Sequence, residues 1–312
     1  MKTILVCGLN PAWQKTLHFR TLTQGEVNRA YALEQTASGK GINFCRAAKT
    51  WQKATTLLLQ FAGGLTGKQL IDVLAQQGLR HETEISEATT RTCSTIISDS
   101  PHSVTELIEP NEPLSPESVE KLYQKALARM EECDSLAICG TYPAGVTSSF
   151  YSGLIKKAVS LKKFVMLDSF MKVEDSLQLG VSLLKINQEE LFKLTGKNDL
   201  IEAFAVCKSS FNIQNAAITA GPDAAYFFDG AGIWKLQTPR LSRVLNPIGA
   251  GDTCSAVTCS EIMAGTEPLK AFQAGLCAAS ASCMTPSAAE YDLDQALSFC
   301  EALPAPELIT TL

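Results

Sequence analysis

Asn246-Pro247-Ile248-Gly249-Ala250-Gly251-Asp252-Thr253 decides how this chain reads. A strand-like patch (Ile233, Leu236, Leu241, Val244) precedes it, and the small and apolar run Cys254–Met263 continues it as a helix. Without bulky side chains, Gly249-Ala250-Gly251 can turn successive backbone N–H groups toward one point, a concavity that suits an anion. The start of the helix adds unpaired N–H groups and the positive end of its dipole. Asp252 falls in that first turn. A carboxylate beside an anion hole is awkward for simple phosphate storage. It suits a site where a hydroxyl loses its proton while attacking a phosphoryl group whose charge the N–H groups hold. The plain alternative is a tight strand-to-helix turn capped by Asp252, so the rest of the chain has to decide.

The 312 residues suffice for one large α/β domain or two ordinary ones. With 46% hydrophobic and 19% charged residues the composition is globular, which excludes a largely disordered chain. A net charge of −5 gives no basic surface for nucleic acid. The cysteines are scattered without a C-x-x-C pair, mostly in apolar runs, and point to free thiols in a reducing compartment. His18, His81 and His102 offer no zinc-ligand spacing. No apolar run reaches membrane-spanning length and the one at Ile4–Cys7 is too short for a signal peptide, so a cytoplasmic protein is expected.

Ile4–Cys7 reads as a buried strand, and residues 11–36 as two short strands around Thr23-Gln24-Gly25-Glu26. Ser38-Gly39-Lys40-Gly41-Ile42-Asn43 opens a helix, and Thr55–Gln60 is a strand. Phe61–Gln69 resembles a P-loop but has three residues between Gly63 and Gly67, and Gln69 where Ser or Thr would hold Mg²⁺; it reads as strand-turn-helix packing. Residues 91–98 and 104–108 form another strand pair. From Ser115 onward helices (116–131, 149–160, 188–195, 198–208) alternate with strands (136–139, 164–167, 183–186, 216–220). This pattern predicts a single α/β domain over 1–312 with a mostly parallel central sheet. Segments 11–36 and 90–108 break the alternation and form a small β-sheet lid.

Ligands of open α/β sheets sit off the carboxyl ends of the strands. Polar residues recur at those ends: Asn10, Thr141, Asn187, Thr219 with Gly221, and Asp252 after the 241–245 region. Lys185, Asn187 and Glu190 suit triphosphate and Mg²⁺, and Thr219 and Gly221 a phosphate or ribose. A hard cation that keeps its waters can be held by one Asn/Glu pair. Equally, Asn187 and Glu190 can cap the helix that follows.

Further pieces are Leu9-Asn10-Pro11-Ala12, Gly25-Glu26-Val27-Asn28-Arg29, Gly39-Lys40-Gly41-Ile42-Asn43, Thr90-Arg91, Thr105-Glu106 and Gly140-Thr141-Tyr142-Pro143. They are followed by Lys185-Ile186-Asn187-Gln188-Glu189-Glu190-Leu191, Thr219-Ala220-Gly221 and Gly249-Ala250-Gly251-Asp252. In this order they resemble the phosphofructokinase B (PfkB, ribokinase-like) carbohydrate kinases over nearly the whole chain, nearest the branch of 1-phosphofructokinase and tagatose-6-phosphate kinase. The resemblance implies a ribokinase-like three-layer fold with a β lid, ATP and Mg²⁺ as cofactors, and a phosphorylated ketohexose as substrate. It makes Asp252 the catalytic base and Gly249-Ala250-Gly251 its anion hole. Asn187 and Glu190 become the metal-linked pair, and Lys185, Asn187, Thr219 and Gly221 the nucleotide side. Gly39, Lys40, Asn43, Thr141 and Gln14 become the sugar side, with Lys40 and Arg91 suited to a phosphate and Arg29 a further candidate. It also implies a homodimer paired through the lid.

Departures from the family pattern cluster on the substrate side. Gln14 stands where an acidic residue is usual, Ser38 replaces a glycine, and Tyr142, Ile186, Ala224 and Asn246-Pro247 replace common residues. These leave open fructose 1-phosphate, tagatose 6-phosphate and fructose 6-phosphate. They also leave open an unphosphorylated sugar or nucleoside, and a non-catalytic sugar-sensing relative.

Overall fold

The computed structural model describes residues 1–312. Its first strand, β1 (Thr3–Cys7), sends Ile4 and Val6 into one apolar cluster and Leu5 and Cys7 into another. Side chains alternate across a strand, so one that is apolar at both parities must be covered on both faces.

The chain continues through β2 (Ala12–Phe19), β3 (Ala32–Ser38), α1 (Lys40–Trp51), β4 (Thr55–Ala62), α2 (Gly64–Gln76), β5 (His81–Ile85), β6 (Thr92–Asp99) and β7 (His102–Ile108). Next come α3 (Pro116–Glu132), β8 (Ser135–Cys139), α4 (Ser148–Ser160), β9 (Phe164–Asp168), α5 (Glu174–Leu177), β10 (Val181–Asn187), α6 (Gln188–Thr195) and α7 (Leu200–Ser210). The last part holds β11 (Ile213–Thr219), β12 (Ala224–Phe228), β13 (Gly232–Gln237), α8 (Ala250–Met263), α9 (Pro268–Ser282), α10 (Leu293–Ala302) and β14 (Glu307–Thr311).

The large sheet has the order β14-β13-β12-β11-β10-β9-β8-β1-β4-β5. Neighbours from β11 to β5 are parallel, and β12, β13 and β14 extend the sheet antiparallel. Helices α1, α2, α8, α9 and α10 pack on one face and α3 to α7 on the other, giving three layers. The strand order grows outward in both directions from β1, so a crevice opens beyond its carboxyl end, between it and β8. A separate four-stranded sheet, β3-β2-β6-β7, forms the lid from residues 12–38 and 92–108.

Two sequence expectations change. Leu241 and Val244 are not in a strand: β13 ends at Gln237, Pro239 has no N–H to continue a ladder, and the chain runs irregularly to α8. Asp252 therefore follows a loop rather than a strand. β5, β12, α5, α9, α10 and β14 were not anticipated. The P-loop-like segment forms the expected strand-turn-helix. Gly63 N–H donates to Thr90 Oγ1 (3.0 Å) and Thr66 Oγ1 to Thr90 O (2.6 Å), so this turn packs on the chain's own next segment. No helix is long and apolar enough to cross a membrane.

Candidate active site

The turn before α8 is held by Asn246. Its Oδ1 accepts from Ile248 N–H (2.9 Å) and its Nδ2 donates to Pro286 O (2.8 Å). Gly249 caps the helix at φ 80°, a left-handed conformation, and a Cβ there would lie 3.0 Å from Ala289 N. The N–H groups of Gly251 and Asp252, in the first turn, have no acceptor within the helix. Asp252 is buried beside them.

Two cavities lie on either side of this turn and share Pro247. The first, about 530 Å³, opens off β1, β8 and β9 and brings together Gln14, Gly39, Lys40, Asn43, Arg91, Thr141, Glu190, Gly249 and Asp252. The lid adds Cys93, Glu106 and Ile108. Arg91 lines it as a cation, and its Nε is buried without a hydrogen-bond partner in the protein. Gln14 Nε2 donates to Thr95 Oγ1 (2.8 Å). The second cavity, about 670 Å³, is lined by Thr219, Gly221, Arg240, Leu241, Val244, Ala250 and Gly251. Arg29 is exposed on the loop between β2 and β3 and lines neither cavity.

The floor of the first cavity is a charge cluster. Lys40 Nζ donates to Asp168 Oδ1 (2.6 Å), and Ser255 Oγ donates to Asp168 Oδ2 (2.5 Å). Lys185 Nζ lies 3.8 Å from Asp168 Oδ2 and donates to Gly251 O (2.9 Å). Lys185 is thus buried behind the turn and, like Asn187, lines neither cavity. Burial opposes ionisation of Asp168, but Lys40 and Lys185, with the bonds from Lys40 and Ser255, hold its carboxyl below the usual range. Burial also opposes the charge on Lys40, yet Asp168, then Asp252, raise it above the usual lysine range. At Asp252 burial dominates. It lifts the carboxyl above the ordinary Asp value against Lys40, with Asp168 adding to the rise and the Asn43 bond (Nδ2 to Oδ2, 2.8 Å) opposing it. Two carboxyls in one site are thereby pushed apart, one firmly ionised and one a stronger base.

Asn187 and Glu190 form a reciprocal capping box: Glu190 N–H donates to Asn187 Oδ1 and Asn187 N–H to Glu190 Oε2, both at 2.9 Å. The capping role is therefore filled, with Asn187 committed to it. Glu190 still lines the first cavity with its second carboxylate oxygen free of protein hydrogen bonds. No group of three or more His, Cys, Asp or Glu side chains could hold a metal ion. The residues fit a magnesium ion that is mostly water- and phosphate-bound and meets the protein at Glu190.

Sequence reading missed Asp168, Ser255 and Asn111, and gave Glu106 of the Thr105-Glu106 piece no role. Asn111 pairs its amide reciprocally with that of Asn10 (3.2 and 2.8 Å), tying the lid's exit to the end of β1. An Asp closing the apolar run Phe164–Leu167 was the available signal for Asp168.

The chain is 25% identical over 261 residues to tagatose-6-phosphate kinase of Staphylococcus epidermidis, covering 81% of this chain and 83% of that one. The structure of Escherichia coli phosphofructokinase-2 with fructose-6-phosphate superposes with a TM-score of 0.86 at 21% identity, over 97% of this chain and 99% of that one. A possible 1-phosphofructokinase of Thermotoga maritima superposes with a TM-score of 0.87 at 17% identity, over 99% and 100%. The description of pfkB family carbohydrate kinases matches residues 2–295, and the chain belongs to that family.

Proposed function

We propose that this pfkB-family phosphotransferase moves the γ-phosphoryl group of ATP onto a hydroxyl of a phosphorylated ketohexose, with Asp252 as general base. The observation that carries this reading is Arg91. It lines the same cavity as Asp252, so one small molecule can meet a cation with its phosphate and a base with its hydroxyl. The names of relatives acting on tagatose 6-phosphate and fructose 6-phosphate support the same class.

In this reading the acceptor lies in the first cavity, against Gly39, Asn43, Thr141 and Gln14. ATP enters the second, along Thr219 and Gly221, with its γ-phosphate at the shared turn. Asp252 takes the hydroxyl proton as the oxygen–phosphorus bond forms and the bond to ADP breaks. The Gly251 and Asp252 N–H groups hold the charge that develops on the phosphoryl oxygens. Magnesium, met at Glu190, would neutralise phosphate charge. The raised Asp252 makes a better base than an ordinary carboxylate.

A second reading is a kinase of an unphosphorylated sugar. Lys40 is already paired with Asp168, and Gln14 brings no charge.

The test is ADP release from Mg-ATP with fructose 1-phosphate, fructose 6-phosphate, tagatose 6-phosphate and their unphosphorylated parents, beside Asp252→Asn. Turnover on one phosphoketohexose, reduced about 10²–10⁴-fold in the variant, is expected. Preference for a free sugar supports the second reading, and normal turnover by Asp252→Asn removes the base.

The partner proposed for the lid is a second copy. Leu17, Leu33 and Ile96 align across the strands on the face away from the cavities, with Leu33 53% exposed. Sedimentation should give a dimer for the wild type and a monomer for Leu33→Lys.

A further inference from the structure

Arg46 is a buried arginine of α1 that does not line the cavity holding Asp252, yet it reaches that carboxylate through one intermediary. Its Nη1 donates to Asn43 Oδ1 (3.2 Å) and to Ala288 O (3.2 Å). Its Nη2 donates to Ala37 O (3.1 Å) and Gln77 Oε1 (3.1 Å), and its Nε to the same Gln77 oxygen (3.3 Å). Asn43 passes the contact on, giving its Nδ2 to Asp252 Oδ2 at 2.8 Å.

An asparagine amide has a donor end and an acceptor end that exchange when the group flips. Here the flip is blocked electrically. It would turn the amide N–H groups onto a guanidinium, which only donates, and the amide oxygen onto a carboxylate. Because the guanidinium stays protonated throughout the working pH range, it fixes one orientation of Asn43. The same fork holds Ala37, at the root of the lid just before Gly39, and Ala288, whose Cβ would lie 3.3 Å from one built on Gly249.

We propose that Arg46 is a positioning residue for phosphoryl transfer: it locks the Asn43 amide with its N–H toward Asp252 and joins the lid root and the segment beneath Gly249 to that lock. The inference rests on Asp252 being the base. The charged and titratable groups around Asp252 are Lys40 on α1, Cys139 ending β8, Asp168 ending β9, Lys185 on β10 and Glu190 on α6, with Arg91, Cys93 and Glu106 across the cavity on the lid. The Asn43 bond is a neutral donor among them, and it draws the base downward against burial. Losing it raises the base further and moves the acid limb of the rate profile to higher pH.

The experiment compares pH profiles of kcat/KM for full-length wild type, Arg46→Lys and Gln77→Leu. It uses Mg-ATP and whichever of tagatose 6-phosphate, fructose 6-phosphate or fructose 1-phosphate is turned over fastest. Arg46→Lys should lower kcat about 10- to 100-fold, leave both KM values within about two-fold, and shift the acid limb upward. Gln77→Leu removes two bonds to Arg46 but none to Asn43, and should lower Tm while leaving the limb in place. A wild-type limb in Arg46→Lys, or equal shifts in both variants, overturns the proposal. A measurement on the wild type does not depend on a variant folding: the Asn43 side-chain amide proton that faces Asp252 should move as Asp252 titrates. Asn43 amide protons that do not respond to that titration overturn the lock. Normal turnover by Asp252→Asn would instead remove the base itself, so the two failures are distinguishable.

Discussion

Lys185 Nζ donates to the carbonyl oxygen of Gly251 at 2.9 Å, which sets a buried ammonium directly behind the anion-binding turn. In the proposed reading this charge acts on the transferring group through the turn. Gly251 thus presents its N–H to the site while its carbonyl, which would repel an anion, is taken up from behind.

Lys185→Met keeps the side chain's length and removes the charge. We expect kcat to fall about 10- to 100-fold with KM for ATP nearly unchanged, the signature of an interaction felt in the transition state. Steady-state kinetics decide it: a higher KM for ATP at constant kcat would return Lys185 to direct nucleotide contact.

Arg91→Gln should act on the substrate's phosphate alone. Loss of a charge-assisted contact worth about 1.5–3 kcal/mol raises KM for a phosphosugar about 10- to 100-fold. KM for ATP should hold. Equal loss on phosphorylated and free sugars would show that Arg91 does not read the phosphate.

Asp168→Asn leaves Lys40 and Lys185 without their shared counter-charge, and breaking a buried pair in this way costs about 3–5 kcal/mol. The wild-type carboxyl is held below its ordinary value, so its contribution is complete above about pH 4 and is lost as pH falls through the lower folded value. Urea unfolding should therefore separate wild type and variant at pH 7 and bring them together near pH 2. A constant gap across that range would mean that packing, not charge, sets the cost.

The sequence made legible whatever depends on local pattern. Apolar runs such as Ile4–Cys7 and the glycine turn at 249–251 announced β1 and the start of α8, and polar residues after strand ends announced Asn10 and Thr141 in the first cavity. What stayed hidden has physical reasons. β5 is an edge strand reading His-Glu-Thr-Glu-Ile, so its burial is partial and its pattern polar. α9 is built from small residues packed between α8 and α10, with no amphipathic stripe to betray it. Asp168 acquires meaning only when Lys40, 128 residues away, folds onto it. Motif position singled out Arg29 and Lys185 but does not say where a side chain lies: Arg29 is on an exposed loop and Lys185 is buried behind the turn.

The two cavities differ in the number of bodies that make them. Lid and sheet share the walls of the first cavity, through Gln14, Arg91, Cys93 and Glu106 on one side and Thr141 and Asp252 on the other. The second has no lid residue in its lining. If the nucleotide takes the second cavity as proposed, it asks nothing of the lid, whereas a sugar phosphate spanning Arg91 and Asp252 would touch both bodies. In the proposed reading the acceptor is then its own fastener, and until it arrives the triphosphate faces no ordered nucleophile.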